Sequence, residues 1–458
     1  VRIAWSFGDS YKNTLVLFTR KRNMEGLLLP TLKGVTLQLS SEVKYLGVIL
    51  DSKLTWKKHV EQKVSRTLKV FWQCKRTFGK TWGLRPAIVH WLYITLIRHI
   101  ITYASVVWWK ATMVNSRVKP LNRLQRSVCL GITGAMSTTS GDALNAILNL
   151  QPLDLQIRKE AMKAAYRLKL NGVWGNEEST GHCQIYHQLS ERCKLFSMPV
   201  DNRVPVVSFG RKYDVLIPDR DQWLSPENLL TGYQHTFYTD GSKTSDGSGS
   251  GWYLDEDTKY SYATGQMATV FLTEVYAILN VAYWLIEKKW RGNSIGICSD
   301  SQAALKALAN PRCSSKLVGE CKTKLNSVAK HNKVSLIWVP GHCGITGNEL
   351  ADKLANEGSA SMPLGPEPFL GVNSASIQLW IDDFMRSTHR GRWSELNSCR
   401  VAKCFVKEPN RKTATFLLKL SRKDLRVLVG VITGHNVCGQ HMATMGVMDS
   451  PICLFSIE

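Results

Sequence analysis

The chain has 458 residues, which predicts two to four domains, and 44% of them are hydrophobic, as in a globular protein. The formal net charge is +23, and about 23 Lys and Arg against about 5 Asp and Glu fall within residues 1–130. This composition excludes collagen-like and broadly disordered chains, and the lopsided charge favours a nucleic-acid backbone over simple solubility as its explanation.

The cysteines and the apolar segments bear on the compartment. Twelve cysteines are scattered along the chain without paired CxxC motifs, and no charged-then-apolar leader is visible. We therefore expect reduced thiols in an intracellular protein, located in either the nucleus or the cytoplasm. The most apolar window, 86–109, contains His90, Arg98 and His99. Because a central arginine is costly in a membrane, a buried helix is preferred there and no membrane partner is expected.

The first 170 residues divide into a strand-rich and a helical part. Residues 1–55 contain short β-type runs at 14–18, 35–39 and 44–50. The basic triplet 20–22 is interpreted as a solvated strand end on backbone phosphates, with a targeting patch as the alternative. Residues 56–170 predict helices at 56–77, from Pro86, at 114–132 and at 153–170, with basic faces. Tryptophans are interleaved with the basic residues, and they are interpreted either as part of the core or as rings that stack on nucleic-acid bases.

The next stretch, 171–232, is rich in glycine and proline and predicts a linker with short ordered pieces. Residues 233–360 then contain two acidic residues with the same context. Asp240 and Asp300 each end a β-rich run and precede a small-residue turn. If their strands are neighbours, the two carboxylates share a crevice at the strand ends, where a divalent cation would neutralise them. The alternative for either one alone is a turn or helix cap.

Glu274 lies in a predicted helix, 273–290, on the same stripe as Ile278, Val281 and Leu285. A carboxylate on a core-facing stripe needs a partner or a metal, although a helix N-terminus also favours an acidic residue. Asp352 follows a strand, 334–339, and a glycine-flanked loop that carries His342. That histidine is interpreted as a mobile proton shuttle, whereas Asp352 taken alone is equally well a solvated helix position.

The run Gly247-Ser248-Gly249-Ser250-Gly251 lacks the Gly-Lys-Ser/Thr of a phosphate loop and predicts a hairpin. Beyond a Pro/Gly hinge at 362–368, helices are predicted at 373–400 and, strongly basic, at 411–432. Cys438, His441 and Cys453 suggest zinc, but a fourth ligand is missing, so the terminus is interpreted as a truncated Cys/His motif.

Residues 233–360 resemble the type I ribonuclease H family, and in particular the ribonuclease H domain of non-LTR retrotransposon polyproteins. The motifs that carry the resemblance are Thr239-Asp240-Gly241-Ser242, Glu274, Ser299-Asp300-Ser301-Gln302, Trp338-Val339-Pro340-Gly341-His342 and Gly347-Asn348-Glu349-Leu350-Ala351-Asp352. The resemblance implies an α/β fold with a mixed five-stranded sheet flanked by helices. It further implies that Asp240, Glu274, Asp300 and Asp352 bind two Mg²⁺ ions, for which Mn²⁺ is expected to substitute.

By the same resemblance, His342 assists product release or deprotonation, and Ser242, Gln302 and Asn348 contact an RNA–DNA hybrid. Cys343 departs from the serine that is more usual in relatives. The implied activity is endonucleolytic hydrolysis of the RNA strand by two metals, without a protein nucleophile. Two alternatives stay open: a decayed fragment that binds hybrids without cleaving them, and a strand-transfer enzyme of the integrase kind.

Residues 1–170 resemble the region after the polymerase active site of non-LTR retrotransposon reverse transcriptases. The resemblance rests on Lys44-Tyr45-Leu46-Gly47-Val48, Gly79-Lys80-Thr81-Trp82-Gly83-Leu84, Thr102-Tyr103-Ala104 and Leu124-Gln125-Arg126. It implies the end of the palm at 1–55 and a helical thumb and connection at 56–170. No Tyr/Phe-x-Asp-Asp element occurs in the sequence, so no polymerase activity is expected from this fragment, and an intact reverse transcriptase is a candidate partner.

Overall fold

The computed structural model describes residues 2–4, 15–19, 28–32, 34–174, 184–224, 229–363, 365–436, 439–447 and 449. The chain forms two compact units, Val1–Ala165 with Ile381–Glu458, and Tyr166–Trp380. The C-terminal helices predicted beyond the hinge at 362–368 belong for the most part to the same unit as the N-terminal helices. The basic triplet 20–22, Cys438 and Cys453 lie outside the described residues.

The strands are short outside the second unit. In chain order they are β1 (Arg2–Ala4), β2 (Val16–Phe18), β3 (Thr31–Leu32), β4 (Val35–Thr36), β5 (Glu42–Tyr45), β6 (Val48–Asp51), β7 (Val206–Val207), β8 (Asp214–Leu216), β9 (His235–Lys243), β10 (Ser248–Asp255), β11 (Thr258–Gly265), β12 (Ser294–Ser299), β13 (Arg312–Cys313) and β14 (Lys333–Trp338).

The helices dominate the first unit and flank the sheet of the second. In chain order they are α1 (Lys57–Cys74), α2 (Pro86–Leu92), α3 (Arg98–Thr102), α4 (Ser105–Trp108), α5 (Asn115–Thr133), α6 (Gly141–Ile147), α7 (Leu153–Leu170), α8 (Gln184–Arg192), α9 (Val270–Glu287), α10 (Gln302–Ala309), α11 (Lys316–Val328), α12 (Thr346–Ala360), α13 (Ser374–Glu395), α14 (Arg400–Phe405), α15 (Arg411–Lys419), α16 (Arg422–Thr433) and α17 (Gly439–Thr444).

Three predicted elements of the first unit are interrupted. The run 44–50 is a hairpin, because Leu46 and Gly47 both take positive φ and reverse the chain between β5 and β6. The apolar window 86–109 is several helical pieces, with a bend where Ala104 has φ 54°. The basic segment 411–432 is two helices, and Ser421 caps the second by accepting from the Asp424 N–H.

The core of the first unit draws on both ends of the chain. Leu124 and Val128 of α5 share one buried cluster with Trp393 of α13 and Val429 of α16. At the start of α16 the Arg422 guanidinium donates to the carbonyls of Leu84, Gly79 and Gly131, at 2.5, 3.1 and 3.2 Å. These carbonyl groups are covered by α16, and the bonds from Arg422 give them hydrogen-bond partners in place of water.

The second unit is built on one mixed sheet with strand order β11-β10-β9-β12-β14-β8. Strands β9, β10 and β11 are antiparallel neighbours, whereas β9, β12, β14 and β8 are parallel. Residues 233–360 therefore supply the five strands that were predicted. The sixth, β8, comes from the stretch predicted as linker, where only three residues pair and leave little periodicity in the sequence.

Helix α12 packs unusually close to β10, and the glycines of the predicted hairpin explain how. A Cβ on Gly251 would lie 2.5 Å from the Ala355 nitrogen and 2.7 Å from the Ala351 oxygen, both backbone atoms of α12. A Cβ on Gly247 or on Gly249 would likewise overlap backbone atoms of Ser359. The hairpin prediction is correct, since β9 and β10 pair, and the same glycines also bring α12 onto the sheet.

Helix α9 is apolar enough to meet the length and composition criteria for a membrane span, with a mean hydropathy of 1.4. A bent pair in the first unit, Pro86–Thr102 with Ser105–Met113, meets them jointly. More than half of α9 is buried, and Leu272, Ile278 and Val281 belong to the core of the second unit. The buried side of a core helix accounts for this composition.

Candidate functional site

Three of the predicted carboxylates meet beside the central strands β9 and β12, where the parallel pairing of these two strands ends. Asp300 follows β12 as predicted, whereas Asp240 lies within β9, which pairs on with β10 as far as Lys243 instead of turning at Gly241. Oxygen atoms of Asp240, Glu274 and Asp300 all lie within 4.8 Å of one another. Asp240 and Glu274 are buried, with 6% and 4% of their surfaces exposed, and Asp300 is half-buried. Asp352 lies outside this group of three, although its charge acts on both Asp240 and Asp300.

The register of two parallel strands brings the aspartates together. Thr239 of β9 pairs with Ser299 of β12, so the residues that follow them, Asp240 and Asp300, are neighbours. The Thr239 hydroxyl donates to the Cys298 carbonyl at 2.9 Å, which links the two strands just before the carboxylates. The Trp338 indole N–H donates to the Asp300 carbonyl at 3.0 Å and fixes the backbone of that residue from β14.

Glu274 reaches the aspartates because α9 begins beside β9. The Thr269 hydroxyl caps the helix by accepting from the Leu272 N–H. A glycine is required at position 241, where β9 approaches the start of α9, because a Cβ there would overlap the backbone nitrogen of Glu274. The Ser299 hydroxyl donates to Glu274 Oε2 at 3.4 Å. The helix stripe that was predicted to face the core thus carries Glu274 into the strand-end crevice.

Burial and like charge disfavour the ionised forms of these acids. Burial raises the pKa of Asp240 to about 7, and the charges of Asp300 and Asp352 add to the effect. Burial also raises the pKa of Glu274 well above its usual range, with Asp240 and Asp300 contributing. The pKa of Asp300 is raised by burial too, while the nearby His342 opposes the shift. Three acids in such surroundings need a cation to remain ionised together.

Asp352 is held at the rim by a short chain of hydrogen bonds. The Asn356 amide nitrogen donates to Asp352 Oδ1 at 3.1 Å, and the Ser242 hydroxyl donates to Asn356 Oδ1. Ser242, predicted as a hybrid contact, therefore has its hydroxyl directed at a side chain of α12. Asn356 was missed by the sequence reasoning, although its i+4 position relative to Asp352 places both on one helical face.

Of the remaining predicted residues, His342 and Asn348 act on Asp300, whereas Gln302 pairs with a residue of its own helix. His342 is exposed on the loop before α12 and has φ 54°. The preceding residue, Gly341, lies so close to Asp300 that a Cβ added to it would be 2.6 Å from Asp300 Oδ2. A side-chain hydrogen bond from Asn348 favours the Asp300 carboxylate, while the buried Asn348 Oδ1 has no partner in the described part of the chain. Gln302 begins α10 and accepts from the Lys306 ammonium at 2.9 Å.

The donor set fits hard divalent cations. Carboxylate oxygens are the ligands that Mg²⁺ and Mn²⁺ prefer, and a cation offsets the repulsion that raises the pKa of each acid. Three of the four predicted ligands already lie within the reach of one ion. The fourth, Asp352, borders the same crevice from α12 and interacts with two of the three.

The raised pKa of Asp240 predicts a pH-dependent stability without metal. The folded state keeps a proton on Asp240 up to about pH 7, whereas the unfolded chain releases it near 3.8, so stability is lost as the pH rises between these values. With EDTA, hydrogen exchange of the β9 amides is expected to speed up from pH 5 to pH 8 beyond its intrinsic dependence. Mg²⁺ restores protection at pH 8, and Asp240→Asn should flatten the profile. An unchanged profile in that variant contradicts the assignment.

Comparisons with known proteins agree with this geometry. Residues 233–360 match the family model described as RNase H. The chain is 24% identical over 145 residues to the retrovirus-related Pol polyprotein from type-1 retrotransposable element R1 of Bradysia coprophila, covering 32% of this chain and 14% of that protein. Two such proteins of Nasonia vitripennis, R1 4 and R1, are 22% identical over 223 residues and 19% over 191.

The Nasonia matches cover 46% and 40% of this chain and 55% of each relative. The chain therefore spans about half the length, or less, of the curated relatives that it matches. The family match and the carboxylate group fall on the same residues, and the strands and helices there agree with the α/β fold that the resemblance implied.

Proposed function

We propose, from the premise that residues 233–360 form a ribonuclease H domain in a chain related to retrotransposon Pol polyproteins, that the protein cleaves RNA in RNA–DNA hybrids. Cleavage is endonucleolytic and depends on two Mg²⁺ ions, for which Mn²⁺ substitutes. The biological setting is reverse transcription of a retroelement inside the cell, with an intact reverse transcriptase as a partner. The nine cysteines among the described residues are all free, which supports the intracellular setting.

The observation that carries the proposal is the group of Asp240, Glu274 and Asp300 within 4.8 Å, two of them buried. Structural carboxylates are rarely buried together without cationic partners, because their mutual repulsion destabilises the fold. No Lys, Arg or His among the described residues forms a salt bridge with any of the three. The arrangement is therefore one that a bound cation completes.

The four carboxylates of Asp240, Glu274, Asp300 and Asp352 would hold the ions. When bound, two divalent ions activate a water for in-line attack and stabilise the leaving 3′ oxygen. The chain's own residues orient this arrangement: Trp338 fixes Asp300, Ser299 contacts Glu274, and Asn348 supports the Asp300 carboxylate. His342, exposed beside Asp300, accepts or returns a proton as product leaves.

Preference for RNA comes from the 2′-hydroxyl and from the shape of the hybrid rather than from base sequence. Gln302 and Asn348 are proposed as hybrid contacts at the start of α10 and α12. The unpartnered Asn348 Oδ1 is an acceptor suited to a hydroxyl donor.

The first unit is proposed to hold the nucleic-acid backbone. A groove of about 890 Å³ runs between β5, α1 and α3, with Lys44, Lys63, Arg66 and Lys69 in its lining. Lys63 is only 6% exposed, and its ammonium lies 4.5 Å from the Tyr103 ring centroid. Burial lowers the pKa of Lys63, and the neighbouring Arg66 and Lys44 lower it further. In the described ranges no carboxylate lies within 4.0 Å of this ammonium, so a phosphate would supply the missing negative charge.

Replacing Lys63 by Gln is therefore expected to weaken hybrid binding and to reduce the salt dependence of the affinity by about one phosphate contact. Fluorescence anisotropy over a series of salt concentrations measures both. Lys330→Gln, at an exposed lysine of the second unit, is the matched control and should leave the slope unchanged. Equal slopes for wild type and Lys63→Gln contradict a phosphate contact at this lysine.

The activity itself is tested on an RNA–DNA hybrid with the RNA strand labelled at one end. The full chain should produce internal RNA fragments with Mg²⁺ and none with EDTA, and should leave double-stranded RNA and DNA intact. Binding measured in parallel separates the alternatives. Hybrid binding without cleavage in Mg²⁺ or Mn²⁺ identifies a non-cleaving hybrid-binding fragment, whereas joining of DNA ends identifies a strand-transfer enzyme.

A further inference from the structure

Asp352 requires a restraint that the other three acids do not. It lies half-exposed on α12, outside the group of three, where it faces the like charges of Asp240 and Asp300 and shares a side-chain hydrogen bond with protonated Asp240. When both acids are ionised, as metal binding requires, that bond is lost and Asp352 gains by rotating into solvent, away from the crevice. Its neighbours on the sheet are buried and packed, whereas Asp352 depends on hydrogen bonds to keep its orientation.

Asn356 supplies that restraint from the next turn of the same helix. Its amide nitrogen donates to Asp352 Oδ1 at 3.1 Å, which fixes one oxygen of a carboxylate that also interacts with Asp240 in the crevice. Its amide oxygen accepts from the Ser242 hydroxyl on β9. Ser242 follows Asp240 by two residues, so the strand that carries one acid fixes the orientation of another.

We propose that Asn356 is a positioning residue for Asp352 and that Ser242 acts through Asn356 rather than as a hybrid contact. The inference rests on the proposed nuclease function for its catalytic consequence, but not for its effect on metal binding. Only an amide serves in this role, because it must accept from Ser242 with one atom and donate to Asp352 with the other.

The placement predicts which measured quantities change. Asn356 is exposed, so its loss should leave the unfolding midpoint unchanged. Misorientation of a metal ligand lowers kcat and metal affinity together, by roughly 10- to 100-fold for a residue that supports a ligand. Loss of a hybrid contact would instead raise KM and leave metal affinity alone.

The experiment compares Asn356→Leu, which has nearly the same shape, with Ser242→Ala and the double variant in the full chain. The readouts are kcat and KM on a hybrid, and Mn²⁺ affinity by electron paramagnetic resonance in the absence of nucleic acid. We expect lower kcat and weaker Mn²⁺ binding with an unchanged KM, and a double variant no worse than Asn356→Leu alone. Glu357→Ala, an exposed neighbour on α12, is the control.

Three results overturn the inference. They are wild-type Mn²⁺ affinity in Asn356→Leu, a raised KM with unchanged kcat in Ser242→Ala, and additive losses in the double variant, which would contradict a chain of action from Ser242 through Asn356. A wild-type chain that does not cleave hybrids refutes the proposed function instead. The Mn²⁺ affinities of the wild type and the variants still decide whether Asn356 positions Asp352.

Discussion

Replacing Asp300 with Asn is expected to lower the rate of hybrid cleavage by more than about 100-fold. Loss of a residue that only supports a metal ligand costs up to about 100-fold, and loss of the ligand itself should cost more. The substitution preserves size and removes one negative charge from a group in which three acids meet within 4.8 Å. Because repulsion in the group falls, the metal-free protein should become more resistant to unfolding while it loses activity. Single-turnover cleavage and thermal unfolding in EDTA measure the two effects.

The control for Asp300→Asn is Asp257→Asn, at an exposed aspartate in the turn between β10 and β11. It removes the same charge from the same domain and should change neither rate nor stability. Wild-type cleavage by Asp300→Asn would refute the role assigned to this carboxylate. Loss of both activity and stability would mean that Asp300 acts in folding rather than in cation binding.

Replacing Gly251 with Ala is expected to destabilise the second unit by about 1–3 kcal/mol, because the new methyl overlaps backbone atoms of α12. A helix backbone cannot yield as a side chain does, so α12 must move away from β10 and take Asp352 with it. A displacement of about 1 Å at a catalytic group costs on the order of 100-fold in rate. Urea unfolding and hybrid cleavage test the two consequences.

Gly232→Ala is the matched control for Gly251→Ala, since a Cβ at Gly232 has no neighbour within 4 Å. It should leave the urea midpoint unchanged or raise it slightly, because alanine restricts the unfolded chain. Unimpaired stability together with unimpaired activity in Gly251→Ala would show that α12 is not held against the sheet by this contact. Reduced activity with wild-type stability would point to displacement of Asp352 alone.

The location of the site was predictable because its signals are local. Asp240 and Asp300 each follow a run that the sequence marks by β-branched or aromatic residues, and the helix period placed Glu274 on a buried stripe. These patterns are set within about ten residues of each carboxylate. Parallel pairing of β9 with β12 then follows from the ordinary rules of α/β sheets.

The features that were not predicted depend on contacts between distant residues. Strand β8 is three residues long and is defined by its pairing with β14, more than a hundred positions away. Asn356 acquires its role from a hydroxyl on β9, which helix periodicity cannot reveal. Likewise, nothing local to Arg422 shows that it binds carbonyls near residues 79, 84 and 131.

The order of the two units along the chain has a consequence for biosynthesis. Trp393, Arg422 and Val429 complete the core and hydrogen bonding of the first unit, yet they are translated after the whole second unit. At about 5–20 residues per second, the ribosome needs roughly 10–40 s to make the intervening stretch. During that interval the nascent N-terminal helices expose apolar surface that chaperones must protect, and the second unit is able to reach its native state before the first unit is complete.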